Sequence, residues 1–204
     1  MNKFIPTIVS RPQSSNLMNV LVPVIAVILT LLTGSIIFSI MGFNPFFALH
    51  TFFISPISTS YGISELLVKA TPLALIAIGL AFCFKNNIYN IGAEGQLTMG
   101  AIFGGGIGIY FYDTNAFWLL PLMILGGAIG GALWAMIPAL LKTKFNTNEI
   151  LTSLMLVYVA LLILDYLVVG PWKDPLGYSF PKTRQFSESG RMPLLFSGLR
   201  VHFG

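Results

Sequence analysis

The sequence predicts an all-α, polytopic membrane helix bundle with about five transmembrane helices and one short interfacial or re-entrant helix. Three observations predict it. The 204 residues are 55% hydrophobic and only 9% charged, against roughly 25% charged in a typical soluble domain. Uncharged apolar runs recur at lengths that match a bilayer. The basic residues stand one or two at a time between those runs, as topology signals do.

Span one is residues 20–41. At 1.5 Å per residue it is roughly 33 Å long, enough for a hydrocarbon core of about 30 Å. Gly42, Asn44 and Pro45 break it. Phe46 to Ile57 is apolar but too short to cross, which suits an interfacial or re-entrant helix. Span two is 65–84. Within it Glu65 and Lys69 stand four apart and can pair, and Pro72 falls in the first two turns, where proline is tolerated. Span three is 91–112, followed by the polar turn Asp113-Thr114-Asn115. Span four is 117–141, ending at Lys142 and Lys144, and span five is 150–169, ending at Gly170-Pro171. The first run is too long for a signal-peptide core and no small-residue cleavage site follows, so it is expected to be retained.

Positive charge sets the orientation. The N-terminal segment with Lys3 and Arg11, the Lys85 turn and the Lys142/Lys144 loop are expected on the cytoplasmic side, whereas the 42–64 loop and the Asp113 turn carry no lysine or arginine. The N-terminus is thereby cytoplasmic. Five spans put the basic tail after Pro171 outside, against the rule, unless another span follows.

Several function classes are excluded. The net charge is +4, but no basic run is long enough to track a phosphate backbone, so nucleic acid is not a partner. One cysteine, Cys83, lies in an apolar run; it makes no disulfide framework or metal cluster and reads as a small core residue. His50 and His202 are isolated, with no serine, cysteine or ligand set beside them, and no phosphate-binding glycine loop is present. No cofactor and no enzymatic activity are expected; the lipid bilayer is the obligatory partner.

Two polar constellations remain. Asn90, Gly92, Glu94, Gly95 and Gln96 crowd a carboxylate, two amides and two glycines into seven residues at the start of span three. Glu94 reads either as a favourable charge at a helix N-terminus with Asn90 as its cap, or as part of a substrate pathway or helix break, where polar groups at membrane depth concentrate. Asn146, Asn148, Glu149 and Ile150 form the second. Asn146 with Glu149 three residues on is a capping-box pattern for span five, and a helix capped at the cytoplasmic face is a surface a soluble partner can press on. Asp165, in the outer half of span five, reads as a snorkelling or helix-pairing carboxylate, with a polar path lining as the alternative. Gly100, Gly104 and Gly108, and the pairs Gly126/Gly130 and Gly127/Gly131, recur every fourth residue and put smooth stripes on spans three and four for close helix packing.

The runs Ala70-Thr71-Pro72-Leu73, Ala81-Phe82-Cys83-Phe84 and Tyr89 to Leu97, then Asn148 to Leu156, then Gly170 to Tyr178, resemble in order the permease subunits of bacterial ABC importers for nucleosides and simple sugars. The match covers about residues 65 to 204. The resemblance implies a multi-pass pore subunit in the bacterial cytoplasmic membrane that works with a second permease subunit, a separate ATP-binding subunit and an extracytoplasmic substrate-binding protein. It implies that Asn90, Gly92, Glu94 and Gln96 shape the pore or its helix break, and that Asn148, Glu149 and Ile150 lie near the ATPase. The family's permeases are longer, so residues 1–204 are expected to be the N-terminal part of a single longer domain, truncated at the C-terminal side. Alternatives are a permease for branched-chain amino acids or another small solute, and a truncated remnant that does not transport.

Overall fold

A computed structural model of the chain describes residues 15–178, 180–196 and 198–202. Lys3 and Arg11, on which the N-terminal orientation partly rests, lie outside the described residues, as do Phe203 and Gly204. Helices α1 (Asn16–Ile40), α2 (Pro45–Leu49), α3 (Ser60–Lys85), α4 (Ala93–Tyr110), α5 (Leu119–Phe145) and α6 (Glu149–Val169) carry the fold. Two isolated β-bridges, Lys173 with Thr183 and Leu194 with His202, stand in place of any strand among the described residues. Four helices, α1, α3, α5 and α6, are long and apolar enough to cross a membrane.

The chain divides into two compact units, Met1–Ile63 and Ser64–Gly204. In the first, α1 buries no residue, as expected of a helix that is apolar all round and solvated by lipid. Three of its polar side chains bond within the helix: Thr30, Thr33 and Ser35 donate to the carbonyls of Ala26, Leu29 and Leu31 at 2.7–2.8 Å. Gly42 turns the chain at φ +81, a conformation open to glycine. Asn44 then caps α2, its Oδ1 accepting from the backbone N–H groups of Phe46 and Phe47, with Pro45 at the first helical position. A π-turn, His50–Ile54, and a 3₁₀ turn, Ser55–Ile57, continue it, so the short apolar segment is helical but changes pitch twice.

In the second unit α4 is the central element. It packs most extensively on α5 and also on α6, and buries Gly95, Met99, Ile102, Gly104 and Gly108. At 18 residues it is about 27 Å long, shorter than the 91–112 span expected, and its glycines make it less apolar than its neighbours. Met99 and Ile102 of α4 meet Ala160 of α6, with Trp134, Ile163, Leu164, Leu167 and Trp172 around them. The indole of Trp134 donates to the Leu156 carbonyl at 3.3 Å, which ties α5 to α6 inside the apolar layer.

The seam between α4 and α5 is glycine on glycine. A Cβ on Gly100 would lie 3.0 Å from the Gly127 carbonyl oxygen, one on Gly104 2.7 Å from the Met123 carbonyl oxygen, and one on Gly131 3.1 Å from the Gln96 carbonyl oxygen. Gly130 lies under the Phe103 ring, and Gly126 receives Ile107. Small residues at a four-residue spacing let two backbones approach this closely.

Two expectations for α3 are corrected. The helix begins at Ser60 rather than at Glu65, so Pro72 lies well inside it and not in its first two turns. Glu65 pairs not with Lys69 but with Arg200, whose Nη1 lies 3.1 Å from Oε1. The segment after Pro171 explains why: it folds back over the α4–α5 end of its own unit. Phe186 fits against Gly108 and Gly105, Trp172 against Gly106, and Ser189 donates to the Thr114 carbonyl at 3.0 Å and accepts from the Ala116 N–H at 3.2 Å. Arg184 stacks 4.6 Å from the Tyr112 ring centroid, and Arg191 donates to Gln185. Three arginines of the tail thus have partners at this end.

Candidate functional site

The Asn90 motif is the entry into α4. The chain leaves α3 at Lys85, turns through Asn87 at φ 57, and enters α4 at Ala93 with Gly92 as the N-cap residue. Asn90 does not cap the helix. Its Oδ1 accepts instead from the Gly92 N–H at 2.9 Å, an Asx turn. Its amide also pairs reciprocally with Gln96: Asn90 Nδ2 donates to Gln96 Oε1 at 3.2 Å, and Gln96 Nε2 donates to Asn90 Oδ1 at 3.3 Å. Gly92 and Gly95 are the positions where the chain meets α6. A Cβ on Gly92 would lie 2.8 Å from the Ser153 carbonyl oxygen, and one on Gly95 2.9 Å from the Val157 Cα. Ser153, fully buried, accepts from the Ile91 N–H at 3.2 Å and locks the motif to α6.

Glu94 sits in the first turn of α4 with its side chain exposed. Its backbone carbonyl accepts from Thr98 Oγ1 at 2.8 Å.

The α5–α6 turn differs from the capping box expected of Asn146. Asn146 ends α5 in the left-handed region at φ 51, its N–H donating to the carbonyls of Leu141 and Lys142, a conformation in which asparagine is the usual substitute for glycine. Asn148 is the cap: its Oδ1 accepts from Ile150 N at 3.0 Å and Leu151 N at 3.4 Å. Glu149 is therefore free of any box. Its Oε2 lies 2.9 Å from Nζ of Lys142, closing the turn between the last helical turn of α5 and the first of α6. Ile150 is exposed beside it, and Asp165 is exposed further along α6.

Both constellations open on one cavity of about 430 Å³. Asn87, Asn90, Gln96, Lys142, Thr143, Glu149 and Ser153 supply its polar lining. Cys83, Ile88, Ala135, Pro138 and Ala139 supply the apolar part, so Cys83 is a half-buried lining residue and not a core one. The structure brings Asn90, Gln96 and Glu149 together here. Gly92, Glu94, Gly95, Asn146, Asn148 and Ile150 lie outside the lining. Ser153 and Lys142 belong to the arrangement and were not singled out from sequence. Lys142 and Glu149 seven residues apart across a turn were the one available signal; the reach of Ser153 to Ile91 had none.

The chain is 37% identical to the glucose ABC transporter permease protein TsgB13 of Haloferax volcanii over 173 residues, 85% of this chain and 45% of that protein. It is 33% identical to the guanosine ABC transporter permease protein NupP of Bacillus subtilis over 158 residues, 78% of this chain and 45% of that one. Likewise it is 33% identical to the nucleoside ABC transporter permease protein NupB of Lactococcus lactis over 149 residues, 73% and 41% of the two. The chain thus spans less than half the length of these relatives. No solved structure matches it. The family described as the permease component of branched-chain amino acid transport systems matches residues 62–201, from the start of α3 through α4, α5, α6 and the folded tail, and the chain belongs to that family.

Proposed function

We propose that this multi-pass membrane chain forms part of the pore subunit of an ATP-driven importer for simple sugars or nucleosides, resident in a bacterial cytoplasmic membrane with its N-terminus inside. Its relatives are named as glucose, guanosine and nucleoside permeases across 73–85% of this chain. The chain performs no chemistry of its own. A separate ATP-binding subunit supplies hydrolysis, a second permease subunit completes the pore, and an extracytoplasmic binding protein delivers the solute. Asn90, Gly92, Glu94, Gly95 and Gln96 belong to the pathway, and Asn146, Asn148, Glu149 and Ile150 face the ATP-binding subunit.

The observation that carries this reading is the convergence of the α4 entry and the α5–α6 turn on one cavity at the lysine-bearing end of the helices. A surface pressed from the cytoplasm at Asn148 and Glu149 is there continuous with groups that can touch a solute. Coupling requires that the solute bind the two states of the pore unequally, and a shared cavity provides the means.

The test is copurification of the tagged chain from mild detergent, probing for an ATP-binding subunit and for ATP hydrolysis stimulated by glucose or guanosine. Stimulated hydrolysis supports the proposal; absence of the subunit refutes it. The family's description favours a second reading, a branched-chain amino acid as solute. Stimulation by leucine and by neither glucose nor guanosine would establish it.

A further inference from the structure

We infer that the cavity between the ends of α3, α4, α5 and α6 holds one neutral, hydroxyl-bearing ring, and that the amides of Asn90 and Gln96 recognise it. The inference rests on the permease reading and deepens it by naming the site and the chemistry of its occupant.

Hydrogen-bond capacity is the first ground. Asn90 Oδ1 takes two N–H groups, from Gly92 and Gln96, which uses both its lone pairs. Each amide nitrogen spends one of its two hydrogens on the other side chain. One N–H on Asn90, one on Gln96 and one lone pair on Gln96 Oε1 remain, held side by side by the reciprocal pair. Two adjacent donors and an acceptor match a pair of neighbouring hydroxyls, each of which both donates and accepts. Ser153 adds little: its Oγ accepts from Ile91 and donates to the Ile150 carbonyl.

Charge is the second ground. Lys142 and Glu149 are the two charged residues of the lining, and they neutralise each other at 2.9 Å. The lining therefore offers an ionic solute no unpaired charge to meet. Size and surface are the third. A cavity of 430 Å³ lies at the lower end of the roughly 300–1,000 Å³ of small-molecule sites, and its apolar wall of Ile88, Ala135, Pro138 and Ala139 suits the C–H face of a sugar ring.

Cys83, the one cysteine of the sequence, lines the cavity and serves as a native reporter. The full chain in phospholipid nanodiscs is labelled with N-ethylmaleimide in the presence of glucose, guanosine or leucine. Glucose or guanosine should slow labelling of Cys83, and leucine should not. Gln96→Leu removes a partner without adding bulk and should require about tenfold more solute for the same protection. Ala139→Trp fills the cavity and should abolish protection, while Leu125→Trp, on α5 but outside the lining, should leave it intact. If Ala139→Trp does not accumulate, Gln96→Leu carries the test alone. A labelling rate changed by neither neutral solute, protection by leucine alone, or protection undiminished in Gln96→Leu would each overturn the inference. Copurification of the ATP-binding subunit is read on the same preparation. Its persistence without Cys83 protection overturns the cavity site and leaves the permease reading standing.

Discussion

Asn148 holds the first turn of α6 through one oxygen shared between two backbone N–H groups. Asn148→Ala should lower stability by about 1 kcal/mol, measured by thermal unfolding of the purified chain in detergent. Asn146→Gly should leave it unchanged or raise it, because the left-handed φ of 51 costs glycine nothing. The two asparagines stand two residues apart, and sequence pattern alone assigns the cap to the wrong one. Asn146 with Glu149 fits the capping box on paper while Asn148 has Leu151 at the box position, and only the left-handed backbone at 146 rules the first out. Glu94 is the acidic residue of the first turn of α4. Its exposed side chain makes at most a helix-end contribution of about 0.3–1 kcal/mol, so with the proposed pathway role Glu94→Gln should accumulate normally in the membrane and impair uptake of the transported solute. Normal uptake at normal abundance would remove Glu94 from the pathway.

Among the elements, α4 depends on its glycines along its length, whereas in α3 the need is confined to Gly62, packed against the Pro56 carbonyl, and Gly79 stands in open space. Gly104→Ala drives a Cβ to 2.7 Å from the Met123 carbonyl oxygen and should cost roughly 1–3 kcal/mol, whereas nothing lies within 4 Å of a Cβ on Gly79, so Gly79→Ala should be neutral or stabilising. The pair of melting curves checks both. The four-residue glycine rhythm was legible in the sequence because it is local and periodic. Its partner was not: Gly100 against Gly127, and Gly131 against Gln96, are matches between helices that no single-helix period encodes. The same limit applies at the α5–α6 turn, where the Lys142–Glu149 ion pair replaces the expected box. Lys142→Glu should weaken closure of this turn, and the exchange Lys142→Glu with Glu149→Lys should recover it, as read by hydrogen exchange at Ile150 to Ser153. Equal loss in the single and double variants would show that the charges do not act together.

At the scale of the whole chain, the helical fold class followed from apolar run length, since a bilayer imposes that length directly, while the early start of α3 and the shortness of α4 did not. The fold of the tail did not follow. It reads as polar loop because its partners are 73 to 135 residues away, at Ala116, Thr114 and Glu65. Arg200→Ala should loosen this segment without unfolding the helices, seen as faster proteolysis after Arg191 with unchanged helical circular dichroism. Phe186→Ala should do the same and also destabilise the unit by about 1–3 kcal/mol, less than for a fully buried ring. The aromatic tail on one side of α4 and the glycines of α5 on the other leave that helix smooth around much of its circumference. Its heritable variation is constrained accordingly. Every single-base change that alters a glycine codon's meaning either adds a side chain or stops the chain, and at Gly104 even the smallest side chain meets a backbone carbonyl oxygen at 2.7 Å. Under random mutagenesis scored by membrane accumulation, Gly104 should therefore be nearly invariant while α1, with no buried residue, drifts among apolar residues. The Gly104 codon can keep its meaning only through synonymous change.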